Sequence, residues 1–389
     1  MKYVREFEGL RGLMALWVVI GHWATSVPLS FAPLPPKLYN AYAVDVFIML
    51  SGFAIFTMME QKRESYLPYI TRRAMRIFPV YLFFLAVSFV LQPLAQQAFA
   101  TGLPAYMQDR RVEIAANSLT YWWQHLLAHI TLLHGLIPNR ILPDTDFAFL
   151  GQAWSLSIEW QFYLLAPFLL LLVRERNRIV STVAVALLVL LSIIISRRLG
   201  VGFIGQKLHL FGIGIATFYA MRSAFSPDPK FPLPKVDARI WLGALVGIVA
   251  FLLLLRTSKA LPYAIWAMAI YAVLASSLSG DKLALFLSRV MNSRPIQWLG
   301  HISYSVYLSH MIVIVLGLAF LEQFEGLTRY QFAIALLAIV VPGTLLFSWL
   351  TYLAIERPFM QLGKTWADQM GRDRARRPSE PVQSARPAA

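Results

Sequence analysis

Ala153-Trp154-Ser155-Leu156-Ser157-Ile158-Glu159-Trp160-Gln161-Phe162-Tyr163 runs without a break into Leu164-Leu165-Ala166-Pro167-Phe168-Leu169-Leu170-Leu171-Leu172-Val173. From Ala148 to Val173 the only acidic or basic residue is Glu159. A hydrocarbon core of about 30 Å takes about 20 apolar residues in helical form, so this segment is long enough to cross a bilayer. Glu159 is the anomaly in it. A carboxylate in a spanning helix costs roughly 3 kcal/mol or more, which makes it a candidate functional group. Ser155, Glu159 and Tyr163 recur at i, i+4 and i+8 and share one face.

Comparable runs recur along the whole chain. The 389 residues are 58% hydrophobic and only 14% charged, with a mean hydropathy of +0.58. A soluble domain carries about 25% charged residues. Spans are expected at 11–27, 41–59, 77–97, 148–173, 179–196, 203–221, 240–255, 262–279, 299–320 and 331–354. Only helices or closed barrels satisfy their backbone in lipid, and these runs are too long and continuous for barrel strands. The expected fold is therefore all-α, a polytopic membrane protein of about ten transmembrane helices.

The net charge of +15 invites a nucleic-acid reading, but its placement argues against one. The basic residues sit mostly in short loops between apolar runs, the pattern of the positive-inside rule. With the N-terminus in the cytoplasm, Arg72, Arg73, Arg76, Arg174, Arg176, Arg222, Lys282, Arg289 and the Arg-rich end from Arg357 all fall on one side. They outweigh the opposite side, which holds Lys37, Arg110, Arg111, Arg140, Arg197, Arg198, Arg256, Lys259 and Arg329. Both termini are therefore expected in the cytoplasm. The first apolar run reads as a retained helix, because Glu6, Glu8 and Arg11 precede it and no small-x-small cleavage site follows. The chain has no cysteine, which excludes disulfides, thiolate metal sites and a cysteine nucleophile.

Three segments fall outside the spans. Residues 98–147 form a long outer connection in which Tyr121, Trp122 and Trp123 suit an interfacial helix. Residues 222–239 are Pro-rich and basic, a cytoplasmic connector. The end of the chain, from about residue 366, reads as a disordered tail after a membrane unit covering 1–365.

Polar groups inside the other spans are the remaining candidates. Arg11 and His22 lie eleven residues apart on the first helix, so they share a face and stand about 16 Å apart along the axis. Glu8 is one turn before Arg11 and within pairing reach. His22 and Glu159 approach a similar depth from opposite sides, the arrangement of a general base and an orienting carboxylate. The plainer alternatives are a core histidine bonded to a carbonyl and a protonated Glu159 bonded to Ser155. Arg72, Arg73 and Arg76 form a cytoplasmic cluster suited to phosphates, or simply topogenic charge. Ser303, Tyr307 and His310 stripe the ninth span and suit either a cavity wall or hydroxyl-mediated helix packing. Asp45 and Ser51 lie in the second span. His125, His129 and His134 have a partial metal-ligand spacing without an obvious third ligand, so no metal is expected.

Taken together, these segments resemble one family, the membrane acyltransferase-3 family of bacterial O-acetyltransferases. Glu8-Gly9-Leu10-Arg11-Gly12 through His22 is similar to its arginine–histidine motif. Asp45-Val46-Phe47-Ile48-Met49-Leu50-Ser51-Gly52-Phe53 resembles its second-helix signature, and Arg73-Ala74-Met75-Arg76 its arginine pair. Trp154-Ser155-Leu156-Ser157-Ile158-Glu159, Gly300 to His310 and Glu356-Arg357-Pro358 complete the series. Trp160 stands where a second acidic residue is common, and His301 where a small or polar one is usual. The esterase-like domain that some members carry after the membrane part does not follow in this sequence.

The resemblance implies transfer of an acyl group, usually acetyl from acetyl-CoA, to a hydroxyl of a cell-envelope or exported carbohydrate at the bacterial inner membrane. It implies His22, Glu159 and Ser155 in the chemistry, and Arg11, Arg72, Arg73 and Arg76 toward the donor. Asp45, Ser51, Trp154, Tyr163, Ser303, Tyr307 and His310 would line an acceptor site or cavity. The expected partners are membrane lipid, acyl-CoA and a carbohydrate, with no metal and no nucleic acid. A transporter or flippase for a glycan or lipid-linked sugar would share the many helices and buried charges, and is the competing class.

Overall fold

The computed structural model describes residues 4–28, 40–101, 105–225, 260–278 and 280–376. Helix α1 (Arg5–Ser26) opens with Glu6 and Glu8 in its first turn, where carboxylates complement the helix dipole. Helix α2 (Ala41–Lys62) ends at Arg63, whose left-handed φ of 49° closes the turn. It leads into α3 (Tyr66–Val90), which carries Pro79 internally. The connection after α3 folds into α4 (Gln92–Thr101), α5 (Gln108–Thr120) and α6 (Trp122–Ile130).

A short 3-10 turn at Gly151–Ala153 then starts α7 (Trp154–Arg174), the helix of Glu159. Helix α8 (Arg178–Ser196) is capped by the Asn177 side chain, which accepts from the backbone N–H groups of Ile179 and Val180. It is followed by α9 (Leu208–Phe225), α10 (Leu261–Leu278), α11 (Lys282–Met291), α12 (Arg294–Leu321) and α13 (Arg329–Thr351). A π-turn at Tyr352–Glu356 joins α13 to α14 (Arg357–Arg376).

Seven helical stretches among the described residues are long and apolar enough to cross a membrane: α2, α3, Gly151–Arg174, Ile179–Ser196, α10, α12 and Arg329–Arg372. Of the ten expected spans, those at 11–27 and 203–221 fall on α1 and α9, which are helical but more polar. Arg5, Glu6, Glu8, Arg11 and His22 dilute α1, and His209, Thr217 and Arg222 dilute α9. The expected span at 240–255 lies outside the described residues, as does the Pro-rich connector beyond Phe225. The segment read as a disordered tail begins as helix, because α14 continues through residues 366–376.

Two features of packing position the site. Helix α1 lies against α12 at glycines. A Cβ on Gly12 would stand 2.6 Å from the Gly300 backbone nitrogen, and a Cβ on Gly300 would overlap the Glu8 carbonyl. Small residues allow this backbone approach, so Arg11 and His22 on α1 sit directly beside the Ser303–His310 stripe of α12. Helix α2 meets α9 in the same way, with a Cβ on Gly52 falling 2.5 Å from the Phe211 carbonyl. Around that contact Phe53, Phe56, Phe84, Phe162 and Phe211 fill the larger apolar core, and the Phe162 and Phe211 rings stack at 3.9 Å. A second apolar cluster joins α1 to α12 and α13 through Ala15, Val19, Ile302, Val306, Leu336 and Val340.

The exposed surface follows the lipid expectation. Ile179, Val183, Leu187, Leu190 and Ile194 of α8 are each about half exposed or more, as lipid-facing side chains are in a membrane helix. On α6, Trp122 and Trp123 are exposed while His125 and His129 are buried. This two-sidedness is that of a helix lying at an interface.

Candidate active site

Two cavities lie inside the helices and share two lining residues; inner and outer are labels only. The inner one is narrow, about 90 Å³, and is lined by Arg11, Arg73 and Arg76 together with Ser51, Ser155, Glu159, Tyr163 and Ser303. Its arginines come from two helices. Arg73 and Arg76 are one turn apart on α3, and Arg11 enters from α1, its guanidinium 3.4 Å from Glu8. The Arg73 guanidinium lies 5.8 Å from the Tyr163 ring centroid, a cation–π distance.

Glu159 is held from both flanks of this cavity. Ser51 donates to its Oε1 at 2.7 Å, and the Tyr163 hydroxyl donates to the same oxygen. The i, i+4 spacing read from the sequence accounts for Tyr163; the Ser51 contact arises from α2 packing on α7.

The outer cavity is larger, about 610 Å³, and is lined by His22, Ser88, Gln92, Arg111, Gln152, Trp154 and Lys207 among others. Phe99, Phe147, Phe149 and Tyr307 give it aromatic walls. That volume is in the range of small-ligand sites. Val44 and Tyr307 line both cavities, so they mark the junction. There the Tyr307 hydroxyl is 2.7 Å from Ser155 Oγ and donates to the Gln152 carbonyl at 3.0 Å.

His22 stands in the outer cavity with its ring 5.0 Å from that of buried His310. Its backbone carbonyl accepts from Thr25 at 3.1 Å and from Ser26 at 2.7 Å. Arg111 on α5 donates in turn to the Ser26 hydroxyl at 2.9 Å and the Thr25 hydroxyl at 3.0 Å. Burial pulls the Arg111 guanidinium down to about 10.

The expected direct dyad is therefore not formed. Among the described residues no hydrogen bond joins His22 to Glu159; Ser51 and Tyr163 hold the carboxylate, and His310 packs on the imidazole. Matching depth on two antiparallel helices is a coarse coordinate. The two groups fall in adjacent cavities, with Tyr307 and Ser155 between them.

Other expected site residues divide clearly. Ser51, Ser155, Tyr163, Ser303 and Tyr307 line the inner cavity and Trp154 the outer one. Asp45 is instead engaged with Lys207 Nζ at 2.7 Å, a pair beside the outer cavity. Arg72 turns away from Arg73 and Arg76. It pairs with Glu64 at 3.0 Å and with Asp368 of α14 at 2.5 Å, so its charge is spent fastening α14 to α3.

Several groups escaped the sequence reading as site residues. Arg111 read only as outer-side charge, and Lys207, inside the expected 203–221 span, was not singled out. Gln152, whose side chain donates to the Leu308 carbonyl at 2.8 Å, carried no signal. Glu356 read as a structural helix end, yet it is buried and accepts from Ser305 at 2.6 Å, in the electrostatic field of Arg76 and Arg11. His129 and His134 stack face to face at 4.0 Å. His129 bonds the Thr145 carbonyl at 2.9 Å and the Tyr81 hydroxyl at 3.2 Å. No group of three metal-ligating side chains occurs among the described residues.

Three half-buried arginines lining one cavity and a histidine lining the next, inside a bundle of membrane-length helices, fit a membrane enzyme. The chain belongs to the acyltransferase-3 family: the family model, described as an acyltransferase domain, matches residues 4–353. It is 23% identical over 390 residues to the peptidoglycan O-acetyltransferase OatA of Listeria monocytogenes, covering 93% of this chain and 56% of that protein. It is 26% identical over 365 residues to the putative membrane-bound transacylase BcsY of Komagataeibacter xylinus, covering 91% of this chain and 82% of that protein. A putative O-acetyltransferase of Staphylococcus aureus strain COL is 23% identical over 391 residues, with 93% of this chain and 58% of that protein covered. The chain thus spans little more than half the length of the first of these relatives. No solved structure matches it.

Proposed function

We propose that this protein transfers an acyl group, acetyl in the first instance, from acyl-CoA to a hydroxyl of a cell-envelope or exported carbohydrate. The observation that carries the reading is the adjacency of the two cavities, which share Val44 and Tyr307 in their walls: three arginines line one, and His22 lines the other. Membership of the acyltransferase-3 family supports it. So do the relatives, two of them named O-acetyltransferases. In this reading residues 1–365 are the catalytic unit, both termini face the cytoplasm, and the protein sits in the bacterial inner membrane.

The donor's phosphates bind on the arginine side, where Arg73, Arg76 and Arg11 offer guanidinium forks. Its thin pantetheine arm follows the axis of α1, along which Arg11 and His22 are separated by about 16 Å. The acyl thioester then arrives beneath the outer cavity, and the carbohydrate enters that cavity against its aromatic walls. His22 takes the proton of the acceptor hydroxyl as its oxygen attacks the thioester carbonyl. The carbon–sulfur bond breaks, and the proton on His22 leaves with the CoA thiolate. Ser155 and Tyr307 offer hydroxyls toward the charge that develops on the carbonyl oxygen. Glu159 acts from the inner cavity, fixing Ser51 and Tyr163 and balancing the arginines, and not by a bond to His22.

Purified protein in detergent should gain heat stability with acetyl-CoA, because a ligand bound only by the folded state stabilises it. The gain should fall in Arg73→Ala. Absence of any protection in the wild type would remove the donor from this account.

A further inference from the structure

We infer that the outer cavity takes a carbohydrate carrying an anionic group, carboxylate or phosphate, and that Arg111 is the residue that reads it. This rests on the proposed function, and names the chemical class of its acceptor.

Among the described residues, the wall of the outer cavity has two cationic side chains, Arg111 and Lys207, and no acidic one. Lys207 is already neutralised by Asp45 at 2.7 Å. Arg111 is not neutralised. Its hydrogen bonds go to two neutral hydroxyls, Ser26 and Thr25, and its other neighbour is the Phe99 ring, 5.6 Å from the guanidinium carbon. No carboxylate lies within 4.0 Å of it among the described residues, whereas adjacent Arg110 pairs with both Glu113 and Asp144.

A half-buried guanidinium with no counter-charge is costly to keep. A bound anion removes that cost, and a guanidinium fork matches the paired oxygens of a carboxylate or phosphate. The position also fits. Through Ser26 and Thr25, Arg111 is tied to the turn that carries His22, so an anion held there fixes the acceptor beside the reacting imidazole. Aromatic faces at Phe147, Phe149 and Trp154 suit the apolar side of a sugar ring.

The test is a binding comparison on the full chain in detergent, with three probes: a neutral gluco-oligosaccharide, an oligogalacturonate of equal length, and a sugar phosphate. The wild type should bind at least one anionic probe about tenfold or more tightly than the neutral one, the scale of a charge-assisted hydrogen bond. The responding arm names the anion. Arg111→Gln should erase the preference, and Arg111→Lys should keep part of it. Removing the Asp45–Lys207 pair together, as Asp45→Asn with Lys207→Gln, should leave it in place. Equal binding of all three probes by the wild type overturns the inference, as does a preference that survives Arg111→Gln. Acyl transfer without anion preference defeats this inference alone; anion preference without transfer defeats the proposed function alone.

Discussion

The hydroxyls of Ser155 and Tyr307 lie 2.7 Å apart at the point where the two cavities meet. Ser155 reaches in from α7 and Tyr307 from α12, and both are also within hydrogen-bond distance of the Gln152 carbonyl. The pair therefore puts polar atoms, and not hydrocarbon alone, between the two cavities.

Tyr307→Phe removes one of these hydroxyls and keeps the ring that packs near Phe47 and His310. The loss to stability should be about 1 kcal/mol. Transfer should fall by about tenfold or more if the hydroxyl meets developing charge. Thermal melting measured beside initial transfer rates separates the two effects.

Gly12→Ala should separate α1 from α12, since the new methyl would stand 2.6 Å from the Gly300 nitrogen. Overpacking of this kind costs about 1–3 kcal/mol, read as a lower melting temperature in detergent. Gly371→Ala on α14 is the control: nothing lies within 4 Å of the added carbon, and the helix should be unharmed or slightly strengthened.

Arg72 and Arg73 are chain neighbours with opposite expected phenotypes. Arg73→Ala should weaken acetyl-CoA binding, read as loss of heat protection. Arg72→Ala should leave donor affinity alone and release α14, whose Asp368 it holds at 2.5 Å. Limited proteolysis of the C-terminal helix reports that release. Equal donor affinity in wild type and Arg73→Ala would contradict the phosphate role.

Acid should destabilise the outer helices. His129 on α6 is buried, and that burial lowers it to about 4; as a neutral ring it donates from Nε2 to the Thr145 carbonyl, with Nδ1 facing the Tyr81 hydroxyl. Below the ordinary value of about 6.5 the unfolded chain binds a proton that the folded one refuses, so stability falls as pH drops from there toward 4. His125 and His134 are lowered by burial in the same way, so His129→Gln should make that fall shallower without removing it, measured as melting temperature between pH 7.5 and pH 4.5.

The sequence carried much of this organisation, because periodicity and spacing are local. The run from Ala148 to Val173 is the helical stretch Gly151–Arg174. The Arg11–His22 interval puts one residue in each cavity, and the Ser155–Glu159–Tyr163 face lines the inner one. What was illegible depends on contacts between distant segments. Asp45 and Lys207 are 162 residues apart, and Arg111 meets Ser26 across 85. Neither pairing leaves a trace in periodicity. The same holds for Glu159. Its depth could be counted along α7, but that Ser51 would hold it and not His22 was set by how α2 and α1 pack.

The central claim is that His22 performs acyl transfer on a donor delivered past Arg11, Arg73 and Arg76. Membranes containing the wild type, given acetyl-CoA labelled in the acetyl group, should place label on an envelope carbohydrate. Membranes with an equal amount of folded His22→Ala should lose about 100-fold or more of that rate, the scale of a general base. Labelling by His22→Ala at a rate near the wild type would contradict the account.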